Sequence, residues 1–179
     1  RIRQMLLFGL PVALQFVVIT AGGMILQSSV NLQGSIFLAG YTATNKLYGL
    51  LECFAMSLGL SSSTFIAQNY GAGLYDRVKQ GLADSVKIVS LLAVVITAFA
   101  ILSRHQILSV FVDKAEEGGT QALDTAAHYL SIMSSFFIIL HILHIFRNAL
   151  QAMGIAIWSL LSGIAEFAAR VFMSKVAIL

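Results

Sequence analysis

The stretch FIAQNYGAG, from Phe65 to Gly73, decides the fold, because an apolar run ends there and a charged segment begins. Glycine at the end of a helix lets the backbone enter conformations that residues with a Cβ avoid. Arg77 and Lys79 follow closely, and positive charge is typical of the cytoplasmic side of a membrane helix. The stretch therefore predicts a membrane helix that leaves the bilayer through a tight turn.

The composition of the whole chain agrees with this interpretation. Of the 179 residues, 58% are hydrophobic and only 11% are charged, whereas soluble domains carry roughly a quarter charged residues. No charged residue lies between Arg3 and Lys46, or between Lys87 and Arg104. A spanning helix needs about 20 mainly apolar residues. The first apolar segment also exceeds a signal-peptide core of about 7–15 residues, so it is read as a permanent span.

The apolar segments predict an all-α polytopic membrane protein with about five transmembrane helices. The predicted helices lie near residues 5–31, 36–67, 85–102, 129–150 and 159–179. The second is long enough to be tilted or to extend beyond the bilayer. The link before the fourth contains an interfacial run at residues 107–112 and a loop at residues 116–119. Because the chain starts at Arg1 and ends inside an apolar run, we expect a fragment of a longer protein.

The basic residues predict an orientation for these helices. Two of them, Arg104 and Lys114, lie on one side of the membrane, beside several acidic residues. The other side carries more basic residues, namely Arg1, Arg3, Arg77, Lys79, Lys87 and Arg147. The N-terminus and the turn at residues 71–73 are therefore predicted to be cytoplasmic.

Several functional classes have no support in the sequence. The basic residues are scattered, without the stripe that follows a nucleic-acid backbone. The single cysteine, Cys53, excludes an intrachain disulfide and a multi-cysteine metal site. The Gly71-Ala72-Gly73 turn lacks the lysine of a phosphate-binding loop. We find no catalytic triad or zinc signature, and we expect no enzymatic activity, metal or cofactor.

The second predicted helix contains an ionisable side chain, Glu52, far from its ends. Such a group costs about 2.5–3.5 kcal/mol inside the bilayer on insertion scales, so its presence needs a reason. Helical spacing places it on one stripe with Tyr41, Asn45 and Tyr48. A carboxylate beside aromatic rings suits a lipophilic cation, and it can also bind H⁺ or Na⁺. We predict that these residues line a site for substrate and coupling ion.

Two other polar faces are secondary candidates for that site. Gln27 and Asn31 share a face of the first helix, where Gly22-Gly23 allows close helix approach. Amide side chains commonly join membrane helices, which favours interhelical hydrogen bonds over substrate contact. His141 and His144 are three residues apart and suit proton transfer, substrate contact or a metal. Because spacing supplies no third metal ligand, polar packing between helices is the default interpretation.

Two acidic residues also have structural interpretations. Glu166 precedes Arg170 by four residues, which is the favourable order for a helical ion pair, and mutual neutralisation is the simplest reading. Glu52 has a structural alternative as the partner of Lys46 or of a group outside this chain. Lys46 lies six residues away, about 120° round the helix, so a direct pair with it is awkward.

Several segments, in order and with matching spacing, resemble the C-terminal half of the multidrug and toxic compound extrusion (MATE) transporters, especially the bacterial type common in clostridia. The most specific of them is the segment at residues 67–73. The segments are Gly9-Leu10-Pro11 with Leu14-Gln15, residues 27–31, residues 43–52, residues 67–73 with Asp76-Arg77, Phe146-Arg147 with residues 150–154, and residues 162–166 with Arg170.

The resemblance implies a twelve-helix transporter of two six-helix lobes, with residues 1–179 forming part of the C-terminal lobe. It implies a secondary-active antiporter of the cell membrane that exports cationic lipophilic compounds in exchange for H⁺ or Na⁺, without a cofactor. The implied partners are the small-molecule cation, the lipid bilayer and an N-terminal lobe. The intramembrane acid carried over is Glu52. Some family members place coupling acids on helices seven and ten, where this chain has amides and histidines instead.

Two alternatives remain open from the sequence. A flippase for lipid-linked precursors, from the wider superfamily, would favour a basic cavity, to which Lys46, Arg147 and Arg170 are the available contributors. A non-transporting membrane scaffold subunit is the second alternative. It predicts that substitutions in the Glu52 stripe alter assembly but not solute flux.

Overall fold

A computed structural model describes residues 2–112 and 118–176, apart from the side chains of Gln4 and Met5. The predicted loop residues Glu116 and Glu117, and the end of the last predicted helix at 177–179, lie outside this described part. The helices within it are α1 (Ile2–Asn31), α2 (Ser35–Gly71), α3 (Tyr75–Leu102), α4 (Arg104–Leu108), α5 (Gly119–Ser135), α6 (Phe137–Ala152) and α7 (Ala156–Val176).

The described helices confirm the predicted all-α membrane fold. Four of them, α1, α2, α3 and α7, are long and apolar enough to cross a membrane, and the bent pair α5–α6 passes the same test when its two helices are taken together as one broken span. With 37 residues, α2 is about 55 Å long at the usual rise of ~1.5 Å per residue. That length exceeds the ~30 Å hydrocarbon core, as the sequence predicted.

The turn at the end of FIAQNYGAG is a glycine-terminated helix cap. The helix ends at Gly71, and Gly73 adopts a left-handed φ of 74°. The amide of Leu74 donates to the carbonyl of Asn69 at 2.9 Å, and the amide of Gly73 donates to that of Tyr70 at 3.0 Å. This pair of bonds is the Schellman arrangement, which satisfies the last carbonyls of a helix.

The third helix begins well before the prediction, at Tyr75 instead of residue 85. Its first turns are charged and exposed, so hydropathy alone does not detect them. Asp76 lies in the first turn, where a negative charge is favourable. Lys79 is 3.9 Å from Asp76, and Lys87 is 3.0 Å from Asp84. The charged segment is therefore a helical extension, and the loop between α2 and α3 is short.

The prediction of one helix at 129–150 is wrong, because this span consists of two helices. α5 begins at Gly119 and meets α6 at Phe136 with a bend of 52°. At the bend the amide of Phe136 donates to the carbonyl of Met133, three residues back. The hydroxyl of Thr97, on α3, donates to the carbonyl of Ser134 at 2.9 Å. A neighbouring helix thus supplies an extra donor where the helical ladder is interrupted.

The helices pack in two groups. α2 packs against α3, α5 and α6, with Thr44 donating to the carbonyl of Ala126 at 3.0 Å in the buried interface. α1 packs along α7, which begins at Ala156, three residues before the predicted Ser159. A Cβ at Gly22 would lie 3.2 Å from the Phe167 ring. This close approach confirms the role predicted for the Gly22-Gly23 pair at its first member, Gly22.

Candidate functional site

A cavity of about 350 Å³ lies between α1, α2, α6 and α7. Its volume is within the range of small-ligand sites, about 300–1,000 Å³. Apolar groups such as Phe16, Met56 and Leu140 form part of its wall. The polar and charged residues that line it are Gln15, Tyr48, Glu52, His144, Arg147, Asn148, Gln151, Glu166 and Arg170.

Glu52 points into this cavity and has two polar neighbours. The hydroxyl of Tyr48 donates to Glu52 Oε1 at 3.1 Å from one turn earlier on α2. His144 Nε2, on α6, lies 3.5 Å from the same oxygen. The side chains of Glu52 and His144 are 21% and 13% exposed, so both border the cavity without full contact with solvent. The carboxylate is therefore accessible to a ligand inside a cavity whose wall combines polar and apolar side chains.

The residues predicted to share a stripe with Glu52 do not all line the cavity. Tyr48 lines the cavity, whereas the described lining does not include Tyr41 or Asn45. The Tyr41 ring stacks on that of Tyr129, with centroids 5.4 Å apart. Eleven residues separate Tyr41 from Glu52, which is about 16 Å along the axis at ~1.5 Å per residue. Shared helical phase therefore places these residues on one side of α2 but not around one ligand.

The first-helix amides contact each other. Gln27 donates to Asn31 Oδ1 at 3.0 Å, a bond within α1 and not between helices. Residues four apart on a helix are neighbours, so this pairing needs no second helix. Gln27 lines a separate open recess with Thr20, Gly23 and Arg170. The amides thus lie outside the cavity that contains Glu52.

The two predicted histidines have different environments. His144 faces Glu52, and its Nδ1 lies 3.0 Å from the carbonyl oxygen of Leu140. His141 is only 1% exposed and packs against the Phe137 ring, with centroids 5.7 Å apart. Neither ring nitrogen of His141 has a hydrogen-bond partner among the described residues. Within the same residues no group of three metal-ligating side chains comes together.

The predicted pair Glu166–Arg170 is present, and it has a third member. Arg170 Nη2 donates to Glu166 Oε1 at 2.6 Å. Arg147, on α6, donates from Nη2 to Glu166 Oε2 at 2.8 Å and from Nε to the Ser162 hydroxyl at 2.6 Å. The sequence interpretation placed Arg147 at the inner end of a helix, yet it is 7% exposed. The sequence did contain a sign that Arg147 is paired, because it lies within an apolar segment, where charged residues are usually paired.

A second polar cluster at the cavity wall was not predicted. The Ser159 hydroxyl donates to Gln15 Oε1 at 2.6 Å, and Gln151 Nε2 donates to the same oxygen at 3.1 Å. Gln151 also donates to the Ser159 hydroxyl at 2.9 Å. These bonds join α1, α6 and α7, and they satisfy polar groups that lipid would leave unpaired.

The family model and the similar proteins point to the same family. The family model MatE matches residues 11–174. The chain is 27% identical over 154 residues to the probable multidrug resistance protein YoeA of Bacillus subtilis, covering 86% of this chain and 32% of that protein. It is 36% identical over 70 residues to the probable multidrug resistance protein YpnP of the same organism, covering 39% and 16% of the two chains.

A solved structure has the same fold. It is a MOP superfamily transporter from Pyrococcus furiosus, with a TM-score of 0.81 and 16% identity, and the match covers 98% of this chain and 42% of that one. The chain therefore spans about a third of YoeA and less than half of the archaeal transporter. Because the family model covers most of the sequence, we conclude that this chain belongs to the MatE family of membrane transporters.

Proposed function

We propose that this chain is part of a secondary-active antiporter that exports cationic lipophilic compounds in exchange for H⁺ or Na⁺. The observation that carries the proposal is the carboxylate of Glu52 on the wall of a cavity between four helices, beside the Tyr48 ring and apolar side chains. Carboxylate attraction and cation–π contact both favour a lipophilic cation. The coupling ion and the substrate then compete for one carboxylate, which links export of one to import of the other.

The charge distribution of the cavity favours this proposal over lipid-precursor flipping. Arg147 and Arg170 share the single carboxylate of Glu166, and the Glu52 carboxylate in the same cavity offsets the remaining positive charge, so the cavity offers no uncompensated basic surface for a pyrophosphate headgroup. Lys46, the third expected contributor, is exposed and lines a different cavity. The names of the relatives, as probable multidrug resistance proteins, agree with export of drug-like compounds.

We also propose where the chain lies in the cell and how it is oriented in the membrane. We place the chain in the cell membrane, with the start of α1 and the Gly71–Gly73 turn in the cytoplasm. Arg3, Arg77, Lys79 and Lys87 are exposed and support this side. Arg147 no longer counts toward the charge of that side, because it is buried and paired.

The test is ion-driven export of a cationic dye by the full-length protein in vesicles, with H⁺ and Na⁺ gradients imposed separately. Glu52→Gln should reduce export to the leak of protein-free vesicles while the protein still inserts. Asp84→Asn is a matched control, because it makes the same chemical change at an exposed position outside the cavity. Export by Glu52→Gln at the wild-type rate would refute the role of Glu52. A defect in assembly with normal flux would favour the scaffold alternative.

A further inference from the structure

The hydrogen bonding of His144 determines what lies between its ring and Glu52. Nδ1 of His144 lies 3.0 Å from the carbonyl oxygen of Leu140. A carbonyl oxygen only accepts hydrogen bonds, so Nδ1 must carry the hydrogen of this bond. In a neutral imidazole the other nitrogen, Nε2, then has a lone pair and no hydrogen. That nitrogen is the atom that faces Glu52 Oε1 at 3.5 Å.

Two acceptors that face each other in a low-dielectric cavity repel, unless something positive lies between them. The Tyr48 hydroxyl donates to the same carboxylate oxygen, but its hydrogen does not lie between Glu52 and His144. One proton resolves the repulsion, either on the carboxylate or on Nε2. In both cases a single hydrogen bridges the two groups.

We infer that Glu52 and His144 form a one-proton site, and that H⁺ is therefore the coupling ion. This inference rests on the proposed antiport function and names the ion that the same site uses. When the bridging proton leaves, it departs to the cavity, and the pair changes from neutral to a net charge of −1. A monovalent organic cation restores neutrality at the same place, so proton and cation occupy the site alternately.

The same geometry disfavours Na⁺. Hard cations prefer several oxygen ligands, whereas an imidazole nitrogen suits transition metals better. Of the two polar neighbours of Glu52 Oε1, one is a nitrogen, so only the Tyr48 hydroxyl adds an oxygen ligand beside it. The pair thus accommodates a proton without rearrangement, whereas it offers Na⁺ few of the oxygen ligands that a hard cation prefers.

Other titratable groups surround the pair without replacing it. The charged ones on the cavity wall are Arg147, Arg170 and Glu166, which pair with one another. His141 lies one turn earlier on α6 and packs on the Phe137 ring. Tyr48 is a phenol that donates to Glu52. α1 contributes Gln15 to the wall, which does not titrate. Proton exchange with a bound cation is therefore assigned to Glu52 and His144.

The test measures proton release when tetraphenylphosphonium binds to the purified full-length protein in weakly buffered detergent solution. Wild-type protein should release about one proton per bound cation, and the apparent affinity should fall about tenfold per unit of pH decrease in the range where the pair is protonated. Added Na⁺ should not compete. His144→Gln should lose most of the release, because an amide hydrogen can donate to Glu52 permanently. His128→Gln, an exposed histidine on α5, should behave as wild type.

The wild-type measurements test the inference even if His144→Gln does not fold. Cation binding without proton release, or competition by Na⁺ at fixed pH, would overturn the one-proton site. Wild-type release by a folded His144→Gln variant would also overturn it. Proton release on binding, without gradient-driven export in vesicles, would contradict the antiport proposal and leave the one-proton site standing. Export driven by Na⁺ alone would contradict the one-proton site and leave the antiport proposal standing. Absence of tetraphenylphosphonium binding would contradict both the site and the antiport proposal.

Discussion

Replacement of Glu166 by glutamine should be among the most destabilising single changes at the cavity wall. Glu166 lies between the guanidinium groups of Arg147 and Arg170, at 2.8 Å and 2.6 Å. An amide of the same shape keeps the volume but removes the only negative charge that these two groups contact among the described residues. Loss of one partner from a buried ion pair costs about 3–5 kcal/mol. Because Arg170 is 34% exposed, we expect the lower end, about 3 kcal/mol.

The double substitution provides the control. Arg147→Met leaves Glu166 Oε1 paired with Arg170, but the Ser162 hydroxyl and Glu166 Oε2 each lose a hydrogen bond. That single change should cost about 2 kcal/mol, the value of two hydrogen bonds. In Glu166→Gln with Arg147→Met, the more buried uncompensated charge is gone. The pair should therefore show a favourable coupling of about 2–3 kcal/mol.

The assay is unfolding of the full-length protein by sodium dodecyl sulfate in mixed micelles, followed by circular dichroism. The expected order of stability is wild type, Arg147→Met, the double variant and then Glu166→Gln. If Glu166→Gln is as stable as wild type, the two arginines do not depend on this carboxylate. If the double variant is no more stable than Glu166→Gln, the loss of stability in Glu166→Gln does not arise from the buried charge of Arg147.

Two further predictions concern helix packing, measured by the same unfolding assay. Gly40→Ala should lower the free energy of unfolding by about 1–3 kcal/mol, because a Cβ would lie 2.7 Å from the backbone oxygen of Ala122 on α5. Gly49→Ala is the matched control. A Cβ there would have nothing within 4 Å, so this change should be neutral or stabilise the protein by about 0.5–1 kcal/mol. Ser159→Ala should cost about 1 kcal/mol through its lost bond to Gln15, and an unchanged unfolding midpoint would contradict that bond's contribution.

Local features of the fold and site were predictable from the sequence. The glycine turn, the apolar helices and the contact of Tyr48 with Glu52 depend on residues no more than a few positions apart. The break at Phe136 falls within the predicted helix at residues 129–150, which contains no glycine or proline, so hydropathy gives no sign of it. The adjacent serines 134 and 135 were the available signal, since such pairs occur at kinks.

Contacts between distant helices were not predictable, because spacing on one helix gives no information about its neighbours. The bond from Ser159 to Gln15 joins positions 144 residues apart, and that from Arg147 to Glu166 joins positions 19 apart. Each histidine was a candidate by spacing alone, and only the packing of α6 against α2 directs His144 to Glu52. Helical phase likewise grouped Tyr41 with Glu52, although the ring stacks on Tyr129.

The structure also distinguishes the two acids that line the cavity. Glu166 is held by two guanidinium groups, which keep their charge at any physiological pH, so its carboxylate stays paired and occupied. Glu52 contacts a phenol and an imidazole, neither of which carries a permanent charge. An exchange site must be able to lose one occupant before it binds the next. Of the two acids, only Glu52 has neighbours that allow this, which is why we propose transport chemistry for Glu52 and helix packing for Glu166.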